Sequence, residues 1–220
     1  MKVKLINYSQ DPEGRNLLEQ IAYCARVSNP ANQDNSETAE KLVRYLIKNK
    51  HWSPLEMVSV CLEIETTRDI ARQILRHRSF SFQEFSQRYA VADLGVQYRE
   101  ARLQDTKNRQ NSIEIKGWTV GEQTLIEEWR RKQDDVLREV AFAYDWALSK
   151  GIAKEQARAV LPEGNTESTM IMSGSLRSWV HYCQLRMDKA TQKEHRIIAE
   201  QCWEIIMHHF PDVQKALESN

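Results

Sequence analysis

Residues 58–65 alternate apolar and polar side chains, which is the pattern of a β-strand with one face on a core. The apolar members of this alternation are Val58, Val60, Leu62 and Ile64. Thr66 and Thr67 then offer an N-cap, and Thr66 with Asp69 three residues later resembles a capping box. Apolar residues continue with helical spacing at Ile70, Ala71, Ile74 and Leu75. A half-buried strand that leads straight into an amphipathic helix requires a sheet and a helical layer around a shared core.

The same two periodicities predict the other elements and the fold class. The predicted elements are a strand over 2–8, a helix over 12–26, a helix capped by Ser36, a strand near 113–116, a helix over 122–150, a short helix over 157–160, a helix from Ser168 through Leu185, and a last helix over 191–209. The periodicity is otherwise lost between Tyr89 and Thr119, so we expect a long loop there that serves as a functional lid. These elements predict one α+β domain over residues 1–220, with a small, mainly antiparallel sheet packed by several long helices.

The charge balance and the cysteines restrict the class of protein. The chain has 31 basic and 31 acidic residues, and this neutrality argues against a general binder of nucleic acid or of membrane surfaces. Cys24, Cys61, Cys183 and Cys202 are far apart in sequence, so we expect buried thiols in a reducing compartment. The N-terminus is too short and charged for a signal peptide, and no apolar run is long enough to span a membrane. The sequence therefore predicts a cytoplasmic protein.

The fourteen residues from Arg76 to Tyr89 are unusually dense in groups that bind anions. They contain three arginines, one histidine, one glutamate and three serines. Guanidinium forks and hydroxyls suit phosphate groups, although a solvated basic turn has the same composition. The composition alone leaves these two interpretations open.

The order of these residues resembles the signature of the flavin-dependent thymidylate synthases, which is Arg-His-Arg, seven residues, Ser, and then x-Arg-Tyr. Further similar blocks are Ala25-Arg26-Val27-Ser28, His51-Trp52-Ser53-Pro54-Leu55-Glu56, Ala157-Arg158-x-Val160-Leu161-Pro162, Leu176-Arg177-Ser178 and Gln192-x-Glu194. They cover most of the chain in the order of the family.

This resemblance implies the reductive methylation of dUMP to dTMP. The methylene group comes from methylenetetrahydrofolate, and the hydride comes from FAD that NADPH has reduced. The resemblance also implies a homotetramer with shared active sites and no cysteine nucleophile. No metal is expected, because the closely spaced His181 and Cys183 lack further ligands. Neither nucleic acid nor membrane is an expected partner.

Site residues are implied by their match to positions of the family. The implied dUMP contacts are Gln73, Arg76, Glu84, Ser86, the backbone N–H of Gln87, Arg88, Arg158 and Arg186. The implied FAD contacts are Ser53, Arg76, His77, Arg78, Glu84, Ser175 and His181. Arg186 is the implied catalytic residue, because a guanidinium beside the uracil ring stabilises the charge that develops there. Ser175 stands where the family commonly has Asn, Met57 where it often has His, and Gln87 where it usually has a small residue.

Each of these interpretations has a structural alternative. Arg158 and Arg177 can be ordinary helix-surface residues. With the family resemblance, we interpret Arg158 as functional and Arg177 as structural or as a support for residues that touch a ligand. His181 can be a satisfied core histidine. Trp129, Trp146 and Trp203 are expected in the core.

Two other function classes stay open: a nucleotide- or RNA-binding protein without turnover, and a general NADPH-dependent flavoprotein reductase. Five retained arginines favour catalysis: Arg76, Arg78, Arg88, Arg158 and Arg186.

Overall fold

Four antiparallel strands form the sheet of this α+β chain, which confirms the predicted fold class. The computed structural model describes residues 1–91 and 97–218. Its strands are β1 (Lys2–Tyr8), β2 (Ser59–Thr67), β3 (Phe80–Glu84), β4 (Arg102–Gln104), β5 (Ser112–Glu114) and β6 (Glu167–Ser175). The order in the sheet is β1-β2-β6-β3, while β4 and β5 form a separate antiparallel pair.

Helices occupy much of the rest of the chain. They are α1 (Leu17–Ala25), α2 (Ala39–Lys48), α3 (Arg68–Ile74), α4 (Val120–Ser149), α5 (Lys154–Ala157), α6 (Leu176–Arg186), α7 (Lys193–His209) and α8 (Pro211–Glu218). Asn16 and Glu19 form a capping box at the start of α1, which explains why this helix begins later than the predicted residue 12. Thr119 and Glu122 form a second capping box at the start of α4.

The main core lies between the sheet and the helices that pack on it. Leu62 and Ile64 of β2 are fully buried, as their alternation predicted. Helix α6 is fixed to the sheet by Trp179, whose indole Nε1 donates a 2.9 Å hydrogen bond to the carbonyl of Val60. Helix α7 packs against β1, β2, α3 and α6. This arrangement places α6 and α7 beside the end of α3, where the arginine-rich segment begins.

The long helix α4 lies mostly outside the main core. Its buried side chains are Gln133, Tyr144 and Ala147, and the last two form a small second cluster with Ala157 and Leu161. The prediction that Trp129 and Trp146 lie in the core is wrong, because their exposed fractions are 42% and 52%. Trp203 does pack against the main core, as predicted.

Strand β6 is the main difference from the prediction, which had a helix from Ser168 onward. Ser168, Met170 and Met172 are buried in alternation along this strand, and α6 begins only at Leu176. Serine and methionine are not typical strand residues. The strand therefore depends on pairing with β2 over its whole length, and its own residue types do not indicate it.

Smaller differences concern helix α3 and the segment after Tyr89. The capping box of Thr66 and Asp69 is not formed, because Thr67 is the N-cap residue and its hydroxyl donates to Asp69 instead. Strand β4 and helix α8 were not predicted, while β5 overlaps the strand predicted near 113–116. Residues 92–96 of the predicted lid lie outside the described residues, and the lid stays a prediction.

The cysteines agree with the prediction at three of four positions. Cys61, Cys183 and Cys202 are buried free thiols, whereas Cys24 is half-buried at the end of α1. The expectation that all four are buried is therefore wrong for Cys24, because α1 presents that side of its last turn to solvent.

Gly174 of β6 generates a prediction about stability, because a Cβ atom there would lie 2.7 Å from Cε1 of Phe80. The Phe80 ring is held by Trp179 at a centroid distance of 4.8 Å and cannot move away freely. We expect Gly174→Ala to lower the free energy of unfolding by about 1–3 kcal/mol, as overpacking does. Urea unfolding followed by circular dichroism measures this change.

Gly121→Ala is the matched control, because an added Cβ on that helical residue meets nothing within 4 Å. It should raise the free energy of unfolding by about 0.5 kcal/mol through helix propensity. If both variants were as stable as the wild type, the close approach of Phe80 to Gly174 would have no energetic role.

Candidate functional site

Helix α6 carries predicted site residues at both of its ends. Ser175 is its N-cap and accepts a hydrogen bond from the backbone N–H of Ser178. Arg186 is its last residue. Eleven helical residues span about 16 Å. The side chains at the two ends of α6 therefore serve separate parts of the candidate site.

At the C-terminal end of α6, Arg186 is bonded to a neutral imidazole. Its Nε donates a 2.9 Å hydrogen bond to Nε2 of His77. Because an arginine only donates, the ring proton of His77 lies on Nδ1. Burial lowers the pKa of His77 to about 4, and the charges of Arg186 and Arg76 act in the same direction. Among the ion pairs of the described residues none involves Arg186, so its guanidinium keeps an unneutralised charge.

Next to this pair, half-buried Gln73 lies in a chain of hydrogen-bonded side chains. Its Nε2 donates to Oε1 of Gln192 at 2.8 Å, and its Oε1 contacts Nδ1 of His195 at 3.3 Å. The other ring nitrogen of His195 bonds the Tyr182 hydroxyl at 3.1 Å. Gln192 in turn donates to Oε2 of Glu194 at 3.0 Å. The predicted substrate residue Gln73 is thus held from two sides.

At the N-terminal end of α6, Glu56 is the central group. Its carboxylate accepts a 2.5 Å hydrogen bond from Oγ of Ser175 and another from Nη1 of Arg177. These two bonds, with that of Ser175 the stronger, hold the pKa of Glu56 below its ordinary value. Nε of Arg177 is buried and has no partner.

His181 and Ser53 lie at this same end. His181 is half-buried, and its ring meets that of Trp52 edge-on at a centroid distance of 4.7 Å. Burial lowers the pKa of His181, with Arg177 acting in the same direction. Ser53 is exposed and begins the short 3₁₀ turn Ser53–Met57, which also carries Glu56.

The segment after β3 forms a third group. Glu84 accepts a 2.9 Å hydrogen bond from Ser168 and lies 3.7 Å from the guanidinium of Arg68. Arg88 is exposed and pairs with Glu155 of α5 at 3.2 Å. This pair brings Arg88 to the helix whose C-cap residue is Arg158.

Arg76, Arg78, Ser86 and Gln87 complete the set of predicted site residues. Arg76, Arg78 and Ser86 are exposed, whereas Gln87 is buried and its Nε2 has no partner. Across residues 1–91 and 97–218, no hydrogen bond or ion pair joins the group around Arg186 to those around Glu56 or Arg88. Within the described part of one copy, the predicted residues therefore form three groups with no direct polar contact between the first and the other two.

Sequence reasoning missed several polar residues at the site. Tyr182 and His195 were given no role, and the carboxylate partner of Arg177 and Ser175, Glu56, was named only as part of a turn. His195 lies on the apolar stripe of α7 that continues through Ile198, Ala199 and Cys202, all fully buried. A histidine on such a stripe indicates a buried polar partner and was a usable signal.

The comparisons with known proteins identify the family. A family model described as thymidylate synthase complementing protein matches residues 4–212. The chain is 47% identical over 220 residues to a probable flavin-dependent thymidylate synthase of Paramecium bursaria Chlorella virus 1, with 99% of each protein covered. The chain belongs to the flavin-dependent thymidylate synthase family. The family recognised from the sequence motifs is therefore confirmed, and so is the prediction that the chain is an enzyme.

A second relative and a solved structure are also similar to this chain. A flavin-dependent thymidylate synthase of Synechocystis is 52% identical over 203 residues, which cover 90% of this chain and 88% of that protein. The crystal structure of a UMP/dUMP methylase from Streptomyces cacaoi with 5-Br dUMP bound superimposes with a TM-score of 0.83. At 23% identity, covering 99% of this chain and 94% of that one, the superposition supports the shared fold.

The described residues contain neither a membrane-spanning helix nor a cluster of metal ligands. None of the described helices has the length and the apolar character needed to cross a membrane. Within the same ranges, no three or more His, Cys, Asp or Glu side chains are grouped so that they can hold a metal ion.

The neutral histidines generate a prediction about pH dependence. Burial lowers the pKa of His195 to about 3, with Arg186 and His77 adding to the effect. In NMR titrations, we expect the imidazole signals of His77 and His195 to stay in their neutral positions down to about pH 5. His77→Gln and His195→Gln assign the two signals.

Arg186→Ala should raise the pKa of His77, because it removes a neighbouring positive charge, while the surface variant Arg138→Ala should leave it unchanged. Unfolding exposes both imidazoles, which then take up protons that the folded state excludes. The free energy of unfolding should therefore fall as the pH drops from about 6.5 towards about 3. A wild-type His77 signal that titrates near pH 6.5 would contradict the expectation that this imidazole stays neutral.

Proposed function

We propose that this chain catalyses the methylation of dUMP to dTMP with a flavin cofactor. The observation that carries the proposal is Arg186, which is held by a neutral imidazole and keeps its charge for a ligand. A carboxylate partner would cancel that charge, as Glu56 does for Arg177. A fixed and unneutralised guanidinium suits a ring on which negative charge develops.

Arg186 takes the role that a cysteine nucleophile has in another class of thymidylate synthase. The C5 atom of uracil must become electron-rich before it can accept a methylene group. Paired planar donors at the N3/O4 edge of the ring achieve this by stabilising the charge that grows there. The contact is stronger in the transition state than in the ground state and therefore accelerates the reaction.

The chain has polar groups that fit FAD. Ser53, His77, Arg78, Ser175 and His181 are the proposed FAD contacts, with Arg76 and Glu84 between flavin and nucleotide. The orphaned Nε of Arg177 is a buried donor in this region, and exposed Arg76 and Arg78 suit a diphosphate. When bound, FAD supplies the hydride. We further propose NADPH as the reductant and methylenetetrahydrofolate as the methylene donor.

The dUMP contacts proposed from the family match fall in two of the three groups. Gln73 and Arg186 belong to the group at the end of α6. Glu84, Ser86, Gln87, Arg88 and Arg158 belong to the group around β3 and α5. Guanidinium forks from Arg88 and Arg158 suit the phosphate, and a half-buried Gln73 suits a neutral polar edge.

We also propose a homotetramer in the cytoplasm whose active sites combine residues of more than one subunit. The separation of the three groups within one copy supports shared sites. The exposed apolar residues of α4 support assembly, and they include Val120, Phe142 and Trp146. The free thiols suit a reducing compartment. Residues 1–220 are proposed to form a single catalytic domain.

Arg186→Ala tests the catalytic role. With pre-reduced enzyme and saturating dUMP and methylenetetrahydrofolate, single-turnover formation of dTMP should fall about a hundredfold or more, the scale of losing one charge-stabilising donor. FAD binding and its reduction by NADPH should be kept. Arg186→Lys should recover only part of the rate, because an ammonium cannot reproduce the planar fork.

Arg138→Ala, on the exposed face of α4, is the matched control and should react like the wild type. If Arg186→Ala forms dTMP at the wild-type rate, ring activation by Arg186 is wrong. If the wild-type protein binds flavin and dUMP but forms no dTMP, the chain is a binding protein without turnover.

The cysteines provide a second test. A nucleophilic thiolate needs exposure and a lowered pKa, whereas burial raises the pKa of Cys183 and that of Cys202. Cys61 is buried as well, and Cys24 lies at the end of α1. We expect each of the four Cys→Ala variants to form dTMP. Loss of product with any one variant, at unchanged secondary structure by circular dichroism, would contradict the proposal.

A further inference from the structure

A chain of hydrogen bonds connects Tyr182 to Glu194 through His195, Gln73 and Gln192. It is buried at both ends and half-buried at Gln73 and Gln192. Tyr182 and His195 are essentially fully buried, and Glu194 is 6% exposed. Burying these three polar side chains in one place is costly unless each of them has a hydrogen-bond partner. Four of the five have no assigned part in the proposed reaction, and the fifth, Gln73, is a proposed dUMP contact.

The donor and the acceptor of each hydrogen bond can be assigned by starting from Glu194. The carboxylate of Glu194 only accepts, so Gln192 must turn its NH2 group towards it. The carbonyl of Gln192 then points at Gln73 and accepts from its NH2 group. The carbonyl of Gln73 is left facing His195, which must carry its proton on Nδ1. Nε2 of His195 is therefore bare and accepts from the Tyr182 hydroxyl.

The charge of Glu194 is secured by arginines. Arg102 donates to its Oε1, and Arg99 lies 3.7 Å from the same oxygen. Burial acts to raise the pKa of Glu194, but the hydrogen bonds led by that of Arg102 outweigh it and hold the pKa below the ordinary value. The ionised form of Glu194 is therefore favoured at the acceptor end, and this sets the donor and acceptor at each step of the hydrogen-bond chain.

Tyr182 also reaches the catalytic end of α6. Its ring meets the ring of His77 edge-on at a centroid distance of 4.9 Å, and His77 holds Arg186. The Tyr182 ring therefore supports the His77–Arg186 pair. Its hydroxyl supports Gln73 through His195. His195 also faces the ring of His77, at a centroid distance of 6.4 Å.

We propose that Tyr182 and His195 are positioning residues that fix the amide orientation of Gln73 for the nucleotide. An amide has two N–H groups and two carbonyl lone pairs, and the hydrogen-bond chain occupies one of each on Gln73. One donor and one acceptor remain for dUMP at fixed positions. This inference rests on the proposed function of the site and deepens it.

The competing explanation is that the pair only satisfies buried polar groups. In that case, replacing both members by apolar residues of similar shape leaves stability nearly unchanged and has no effect on a ligand. A positioning role predicts weaker dUMP binding instead. Gln73 loses the donor that fixes its carbonyl, and its amide becomes free to turn over.

The double variant Tyr182→Phe/His195→Leu separates these explanations. Measured by the dUMP-induced change of the flavin spectrum, dUMP affinity should fall about tenfold, the scale of one lost polar contact. FAD affinity and Tm should stay close to those of the wild type. In single turnover, the dUMP concentration for half-saturation should rise more than the saturated rate falls. Returning a donor with Tyr182→Phe/His195→Gln should recover part of the affinity.

The matched control is Tyr8→Phe/His209→Leu, which makes the same changes in another Tyr–His ring pair, at a centroid distance of 6.1 Å. His209 ends α7, about 21 Å along the helix from His195, so dUMP affinity should not change. If the first double variant does not fold, Gln192→Leu removes the other partner of Gln73 and should weaken dUMP but not FAD.

The outcomes distinguish this inference from the proposed function. Wild-type protein that binds FAD but ignores dUMP would overturn the proposed function and, with it, the positioning role. If the wild type binds dUMP and the variants bind it equally well, only the positioning role is overturned. An equal loss of dUMP affinity, FAD affinity and Tm would show that the pair holds the fold, and would overturn the inference as well.

Discussion

The antiparallel pairing of β2 with β6 is the constraint on which the candidate site depends. It runs without a break from Ser59 opposite Ser175 to Thr67 opposite Glu167. Because the strands point in opposite directions, α3 leaves one end of the pair and α6 leaves the other. Each helix packs against the strand that it follows, α3 on β2 and α6 on β6. The hydrogen bond from Arg186 to His77 then joins the last residue of α6 to the segment that follows α3.

The arginines at the two ends of α6 have different partners. At the start of the helix, Arg177 is neutralised by Glu56, and at its end Arg186 faces an imidazole that burial keeps neutral. A third arginine, Arg102, is used to keep a buried carboxylate ionised. Of these three cations, only Arg186 has no carboxylate partner, so electrostatics as well as position single it out for a ligand.

The sequence predicted best those elements whose burial follows a single period. β1, β2 and α7 were found in this way, whereas β6 was not, because its buried residues are serine and methionine and its stability comes from pairing with distant β2. The exposed tryptophans of α4 were misplaced for a related reason, since residue type alone does not show which partner is present. Motif order identified the family and placed Arg186 and His77 as site candidates, but it did not show their contact. That contact joins residues 109 positions apart and depends on the register of the sheet.

The hydrogen-bond chain from Tyr182 to Glu194 has an evolutionary consequence. Because each member supplies what its neighbour requires, a single substitution leaves another buried polar group unsatisfied. Changing Tyr182 and His195 together to apolar residues limits that penalty to the carbonyl of Gln73, which is only half-buried. The Tyr182–His195 end can be replaced in this way. A change at Glu194 instead removes the acceptor that sets which atoms donate and accept in Gln192, Gln73 and His195. Divergence at these positions is therefore expected to occur in pairs and to begin at the tyrosine end, so that the carboxylate is the last member to be lost.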